Sequence, residues 1–265
     1  MNLRIVAYCL LGGLSFSIAA MGAGHFGWWW LSGALMAAAY VPLVRFGPRS
    51  WVVQFGMIFV SMFVVAGVCT ASEAAMFLPG QSVEAWRNLK GAFGMYLIDA
   101  AWLAVVAKVL KLTEDSGASP DHRSGMQAVA GVFASGFAYV LLYLVFGSIA
   151  FFMFTKQYYP QGEQMARSFG IWLWVIQLGR GILMTVAVLP MIYTLRMQRW
   201  PAALAIGILL WVVGGLALLV VPMGMVPMQR FAHIVEIFTQ NFSLGIAAVL
   251  LLRPRRADVL AVSVG

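Results

Sequence analysis

Five ionisable side chains stand inside long apolar runs or within a turn or two of their edges: Glu73, Asp99, Arg180, His233 and Glu236. Three carboxyls, a permanently charged guanidinium and an imidazole are the raw material of proton exchange, anion binding or metal ligation. Placing an Asp or Arg at mid-span costs roughly 2.5–3.5 kcal/mol, so such groups persist only where they pair, hydrogen-bond or line a wet cavity. The densest pattern is RFAHIVEIFTQNFSLG near the C-terminus. Its Arg230, His233, Glu236, Gln240 and Ser243 are spaced by 3, 3, 4 and 3 and fall on one helical stripe, which Asn241 widens. Gln177 and Arg180 are again three apart in IQLGRGILM, where Gly179 and Gly181 leave room for a second helix. The arginine fork suits a carboxylate, and Glu236 or Glu73 is the expected partner. Glu73 in CTASEAAMF and Asp99 in YLIDAAWLA both lie among small residues.

This set fits transport or a proton relay better than any catalytic template. A metal centre needs three or four converging ligands. His233 and Glu236 supply one helical turn only, with neither HExxH nor a paired Glu-x-x-His motif, and Arg180 would repel a cation. A haem held by two histidines needs a second intramembrane histidine, whereas His25 sits at the lip of a span. Ser61, Ser72, Ser135 and Ser148 lack a GxSxG or His–Asp spacing, and the paired glutamates of a glutamate–arginine prenyl-protein protease are missing. Cys9 and Cys69, each inside an apolar run without CxxC, read as inert thiols. No catalytic residue, metal ligand or cofactor is assigned on this basis. The competing account is architectural: one Arg–carboxylate pair fixes helix register and His233 bonds a neighbour. One pair would suffice for that, yet five ionisable groups plus Gln177, Gln240 and Asn241 are present.

The elements that must position these groups follow from composition. Of 265 residues, 62% are hydrophobic and 10% charged, with a mean hydropathy of +0.89; soluble domains carry roughly 25% charged residues. A water-soluble enzyme, a nucleic-acid module and a disordered chain are excluded, and the net charge of +8 resides between apolar runs. Eight such runs are of spanning length: Ile5–Ala23, Gly27–Val44, Trp51–Leu78, Gly91–Val109, Met126–Phe154, Phe169–Leu195, Pro201–Val221 and Phe231–Leu252. They are continuous rather than alternating, which favours helices over a β-barrel. The expectation is an all-α, polytopic membrane protein with about eight transmembrane helices in one bundle. A front four-helix half, 1–111, and a back half, 126–265, are joined by a polar, flexible linker at 112–125 that holds a solvated His122; no internal repeat relates the halves. Pro190, Pro222 and Pro227 read as boundary residues.

Lys and Arg are unequally shared between the two sides. Arg4, Arg45, Arg49, Lys108, Lys111, Arg123, Arg196, Arg199, Arg253, Arg255 and Arg256 lie on one side, against Arg87, Lys90, Lys156, Arg167 and Arg230 on the other. This bias predicts an inner (plasma) membrane protein with both termini cytoplasmic. Trp28, Trp29, Trp30, Trp51, Trp86, Tyr158, Tyr159 and Trp200 sit at span edges, as interfacial aromatics do. The first segment loosely resembles a secretory signal; cleavage would leave seven helices.

The back half resembles an uncharacterised family of bacterial multi-pass membrane proteins. The matching features are Tyr139 to Gly147 (YVLLYLVFG), Gln177-Leu-Gly-Arg180-Gly181, Pro190 before Arg196, and Arg230-Phe-Ala-His233-Ile-Val-Glu236 followed by Asn241-Phe242 and Gly245. Glu73-Ala-Ala-Met-Phe77 is a weaker match in the front half. The resemblance implies family membership and no activity. The leading expectation is a small-solute or proton-coupled carrier using Glu73, Asp99, Gln177, Arg180, His233, Glu236, Gln240 and Asn241. An intramembrane enzyme acting on a lipid or apolar substrate is the alternative, and a scaffold or accessory subunit the third. Expected partners are the lipid bilayer, a small solute or lipid, and a second copy or larger membrane complex, with no nucleic acid.

Overall fold

Where side chains are apolar for twenty residues and lipid offers no hydrogen bonds, the backbone must satisfy itself, and this chain does so with helices throughout. A computed structural model describes residues 3–20, 24–77, 82–114, 120–159, 162–222 and 224–254. The helices are α1 (Leu3–Ala19), α2 (Phe26–Phe46), α3 (Trp51–Met76), α4 (Val83–Val109), α5 (Gly125–Tyr158), α6 (Gly162–Phe169), α7 (Ile171–Thr194), α8 (Arg199–Leu219) and α9 (Pro227–Leu252). Seven of them, all but α1 and α6, are long and apolar enough to cross a membrane. At 17 residues α1 is apolar too but reaches only about 25 Å, slightly short of the hydrocarbon core. The chain is thus an integral, multi-pass α-helical protein.

Helix boundaries differ from hydropathy, and one short helix is added. The fourth helix begins at Val83 rather than Gly91, and the last at Pro227 rather than Phe231, because polar, amphipathic turns extend each helix beyond its apolar run. The helix α6, GEQMARSF, is too short and polar for a hydropathy window to register. Pro227 occupies the first turn of α9, where its missing N–H costs nothing. Pro190 is accommodated inside α7, and Pro222 lies between α8 and α9.

The two sequence halves share one hydrophobic core: α3 packs on α7, and α2 on α8. The described ends of the segment that joins the halves are pinned. Thr113 donates to the Val44 carbonyl at 3.0 Å, Glu114 pairs with Arg45, and the Tyr193 hydroxyl donates to the Arg123 carbonyl at 2.9 Å. His122 is exposed, its ring stacked on Tyr193 at 4.2 Å. Residues 115–119 of the expected flexible linker lie outside the described residues.

One face of the bundle gathers the C-terminal ends of α2, α4, α7 and α9, whose last carbonyls lack helical partners. Arginines supply the missing donors. Arg253, 2% exposed, donates to Ile192, Leu195 and Met197 at 2.6–2.9 Å. Arg196 donates to Phe46, Gly47 and Glu114, and Arg199 to Leu250. Cations at these ends also complement the helix dipoles. Burial lowers the Arg253 pKa to about 10, which still leaves it charged and fully donating at neutral pH.

Close helix approach sets the position of the functional side chains at one crossing in particular. A Cβ at Gly181 would stand 3.0 Å from the Gly136 Cα of α5 and 2.6 Å from the Tyr139 Cβ, so α5 and α7 meet backbone to backbone beside Arg180. Gly179 has nothing within 4 Å; of the two glycines flanking Arg180, only Gly181 is a packing residue. Accordingly, Gly181→Ala is expected to cost about 1–3 kcal/mol of overpacking strain. Gly179→Ala is expected to be neutral or to gain up to about 1 kcal/mol from helix propensity. Thermal melts of the two purified variants in one detergent check the difference.

Candidate functional site

The opposite face holds the polar groups. Arg180 follows Ile171 by nine residues and Glu236 follows Pro227 by nine, so both lie about 13 Å along their helices, within the spanning segments. Glu73 approaches from the last turn of α3. Arg180 Nη2 donates to Glu73 Oε2 at 2.8 Å, and Arg180 Nη1 to Gln177 Oε1 at 2.9 Å. The guanidinium lies over the Tyr139 ring, 5.8 Å from its centroid. Arg180 is 8% exposed, whereas the Glu73 side chain is 39% exposed, so the carboxylate is the open side of this pair. Arg180 Nε and Gln177 Nε2 are buried and have no acceptor among the described residues.

The second group is a run of hydrogen bonds along α9. Gln229 Nε2 donates to the Tyr159 hydroxyl at 2.9 Å, and that hydroxyl meets His233 Nε2 at 3.1 Å. His233 Nδ1 meets Glu236 Oε2 at 3.1 Å, and Gln240 Nε2 donates to Glu236 Oε1 at 3.2 Å. A consistent set of roles follows from the network. Tyr159 accepts from Gln229 and donates to His233 Nε2, and His233 Nδ1–H donates to an ionised Glu236. Burial raises the Tyr159 pKa, outweighing the Gln229 hydrogen bond that lowers it, so the phenol keeps its proton at neutral pH.

The helix α5 joins the two groups. Tyr139 and Tyr143 both lie within electrostatic reach of Glu73, Arg180 and Glu236. Beyond them, a Cβ on Gly147 would stand 3.3 Å from Gln240 Nε2 and 3.4 Å from Glu236 Oε1; its absence lets both lie against the α5 backbone. Helical widening to π geometry occurs in three of the contributing helices, Met62–Cys69 before Glu73, Tyr143–Gly147 in α5 and Phe238–Phe242 after Glu236, while α7, which carries Gln177 and Arg180, stays regular. Such turns insert one residue per turn and are frequent at functional sites.

At the rim, a pocket of about 570 Å³ is lined by Lys156, Gln157, Tyr159, Glu163, Gln164 and Arg167, among others. Tyr159 therefore faces this pocket while its hydroxyl contacts His233. Lys156 Nζ pairs with Glu163 Oε1 at 2.5 Å, tying α6 to the end of α5. Lys156 holds the exposed Glu163 carboxyl below its usual range by hydrogen bond and charge.

Of the sequence-predicted residues, Glu73, Gln177, Arg180, His233, Glu236 and Gln240 come together in this region. The carboxylate on Arg180 is Glu73, 107 residues earlier in the chain. Asn241 is placed elsewhere: its Nδ2 donates to the Leu210 carbonyl of α8 at 3.4 Å. Neighbouring helical positions point about 100° apart, so Asn241 faces α8 while Gln240 stays beside Glu236. Asp99 faces α1 instead. Arg230 remains at the start of α9, donating to the Met225 carbonyl at 3.3 Å.

Two participants carried no sequence signal of their own. Tyr159 reads as one more interfacial aromatic, and Cys69 as an inert thiol, yet Cys69 lies within electrostatic reach of Arg180 and Glu73. Among the described residues, no three His, Cys, Asp or Glu converge as a metal-ligand set.

No family model, curated protein or solved structure matches the chain. Its class as a membrane protein rests on its own helices.

Two outcomes follow from this geometry. Glu73→Gln leaves the Arg180 charge uncompensated and is expected to lower stability by about 1–3 kcal/mol, less than a fully dry pair because Glu73 is half open. Glu73→Gln combined with Arg180→Gln is expected to recover most of that loss in detergent melts. The Lys156–Glu163 tie, with its depressed carboxyl, holds above the ordinary carboxylate range and is lost as pH falls through the lowered pKa. Relative to intrinsic rates, amide exchange in α6 should therefore rise only on strong acidification, and Glu163→Gln should show the faster exchange at neutral pH, the difference vanishing once Glu163 is protonated.

Proposed function

We propose that the protein is a proton-coupled carrier for a small oxyanion. The observation that carries this reading is the directional run Tyr159–His233–Glu236, which leads from the rim pocket to a carboxylate inside a spanning helix. A histidine placed between a phenol and a carboxylate can take a proton at one nitrogen and release one at the other. The substrate class follows from the unpaired groups: two buried donors, Arg180 Nε and Gln177 Nε2, lack acceptors, and a carboxylate or phosphate brings them. Glu73, half exposed beside Arg180, is the counter-charge that such an anion would compete with. With both termini cytoplasmic, as the Lys and Arg bias favours, the rim pocket opens outward from the inner membrane.

An acyl-transfer enzyme is less well supported, because His233 meets no serine, threonine or cysteine among the described hydrogen bonds. The architectural account is favoured by the Arg180–Glu73 pair alone and leaves the α9 relay without a role.

Proteoliposomes loaded with a pH-sensitive dye test the reading. Inorganic phosphate and succinate are added outside in turn, with glycerol as the neutral control. The protein is expected to acidify the lumen with at least one of the anions and not with glycerol. His233→Phe and Glu236→Gln should each reduce that flux about a hundredfold, the usual scale of a lost acid–base group, while melting near the parent temperature. Fluxes equal to those of empty vesicles for every solute, or undiminished flux in both variants, would rule the proposal out. Collapse of stability in both variants would instead establish the architectural account.

A further inference from the structure

Asp99 belongs to none of the contacts above. It lies on α4, sixteen residues after Val83 and ten before Val109, so it is deep in the span. It is 1% exposed, and neither carboxyl oxygen has a hydrogen-bond partner among the described residues. Ser15 of α1 stands alongside, but its hydroxyl already donates to the Gly12 carbonyl at 3.1 Å. The other titratable groups near it are tyrosines and a thiol. Tyr96 is one turn away on α4 and packs against Gly67 of α3; beyond it come Tyr40 of α2, then Tyr8 and Cys9 of α1. On α3, Cys69 and Glu73 are engaged at Arg180. None of these groups except Arg180, which Glu73 compensates, carries positive charge.

An ionised carboxylate with neither a cation nor a donor is the costliest state for a buried acid, whereas the neutral acid needs one acceptor only. Ser15 supplies that acceptor. A small side-chain rotation lets an Asp99 O–H donate to Ser15 Oγ, whose own hydrogen continues to Gly12, so donors and acceptors run in one direction. An ionised Asp99 would need Ser15 to abandon Gly12 and would still leave one oxygen without a donor.

We infer that Asp99 is a proton-binding site separate from the His233–Glu236 relay, and that its proton locks α1 against α4. The helix α1 is the short one of the bundle, and its outward residues Leu10, Leu14 and Ile18 are exposed. It meets α4 where Gly12 packs on Leu103 and where Trp102 Nε1 donates to the Leu11 carbonyl at 3.0 Å. Ionisation of Asp99 draws water or donors into this seam and loosens it. The contact is therefore kept at low pH and weakens as pH rises through the ionisation of this carboxyl.

Infrared spectra of the full chain in lipid nanodiscs read the protonation directly. At neutral pH the wild type should show a protonated-carboxyl carbonyl band that Asp99→Asn abolishes and that Glu236→Gln leaves in place, which separates this site from the carrier reading. Ser15→Ala, which removes the acceptor, should move the band to higher frequency and serves if Asp99→Asn does not fold. Spin labels at the lipid-facing positions Leu14 and Ile98 should move apart on alkalinisation in the otherwise unaltered protein and stay fixed with Asp99→Asn. Absence of the band at neutral pH, a band unmoved by both substitutions, or a label distance independent of pH would overturn the inference.

Discussion

A guanidinium cannot shed its charge inside a bilayer, and the arrangement of the back half is governed by how Arg180 is compensated. Glu73 carries the opposite charge, Gln177 takes a second hydrogen bond, and the Tyr139 ring lies beneath the cation. Each partner imposes a constraint. Glu73 fixes the end of α3 against α7, and Tyr139 fixes α5. The α5–α7 crossing must be tight enough for Gly136 and Gly181 to touch. The compensation is nevertheless incomplete, since one guanidinium nitrogen and the Gln177 amide remain buried without acceptors. Buried donors are normally paired, and these two have no acceptor among the described residues.

The α9 groups obey a different economy. Here no charge is permanent, and the hydrogen bonds form a series in which the terminal Gln229 and Gln240 donate while Tyr159, His233 and Glu236 carry exchangeable protons between them. Low dielectric strengthens such a series, and it also makes each interior break costly. The π turns in α3, α5 and α9 adjust side-chain direction at the depth where these groups meet, at the expense of regular helical hydrogen bonding. The opposite face is static by comparison: buried arginines fasten helix ends to one another through backbone carbonyls. Arginine-capped helix ends on one side and a rim pocket on the other make the two faces chemically unlike.

Much of this was legible in the sequence and some was not, for identifiable reasons. The spacing of His233, Glu236 and Gln240 places them on one side of a helix, and they are hydrogen-bonded in series. Asn241 departs because it is the helical neighbour of Gln240 and points about 100° away, onto the Leu210 carbonyl of α8. Gly179 and Gly181 look equivalent beside Arg180, but only one meets another backbone, since helix rotation decides which side is packed. Tyr159 is indistinguishable in sequence from its neighbour Tyr158, and it joins the relay only because α5 continues past its apolar run and brings it over α9.

Hydropathy and charge cost are sums over neighbouring residues, so the sequence alone determined that the chain is a helical membrane protein and which side chains are too expensive to face lipid. Pairing is not such a sum. Whether Arg180 meets Glu73 or Glu236, and whether Asp99 joins them or stands apart, depends on helix rotation, crossing distance and local π widening. Those variables are set by contacts between segments up to 107 residues apart, and the tertiary structure alone decided them.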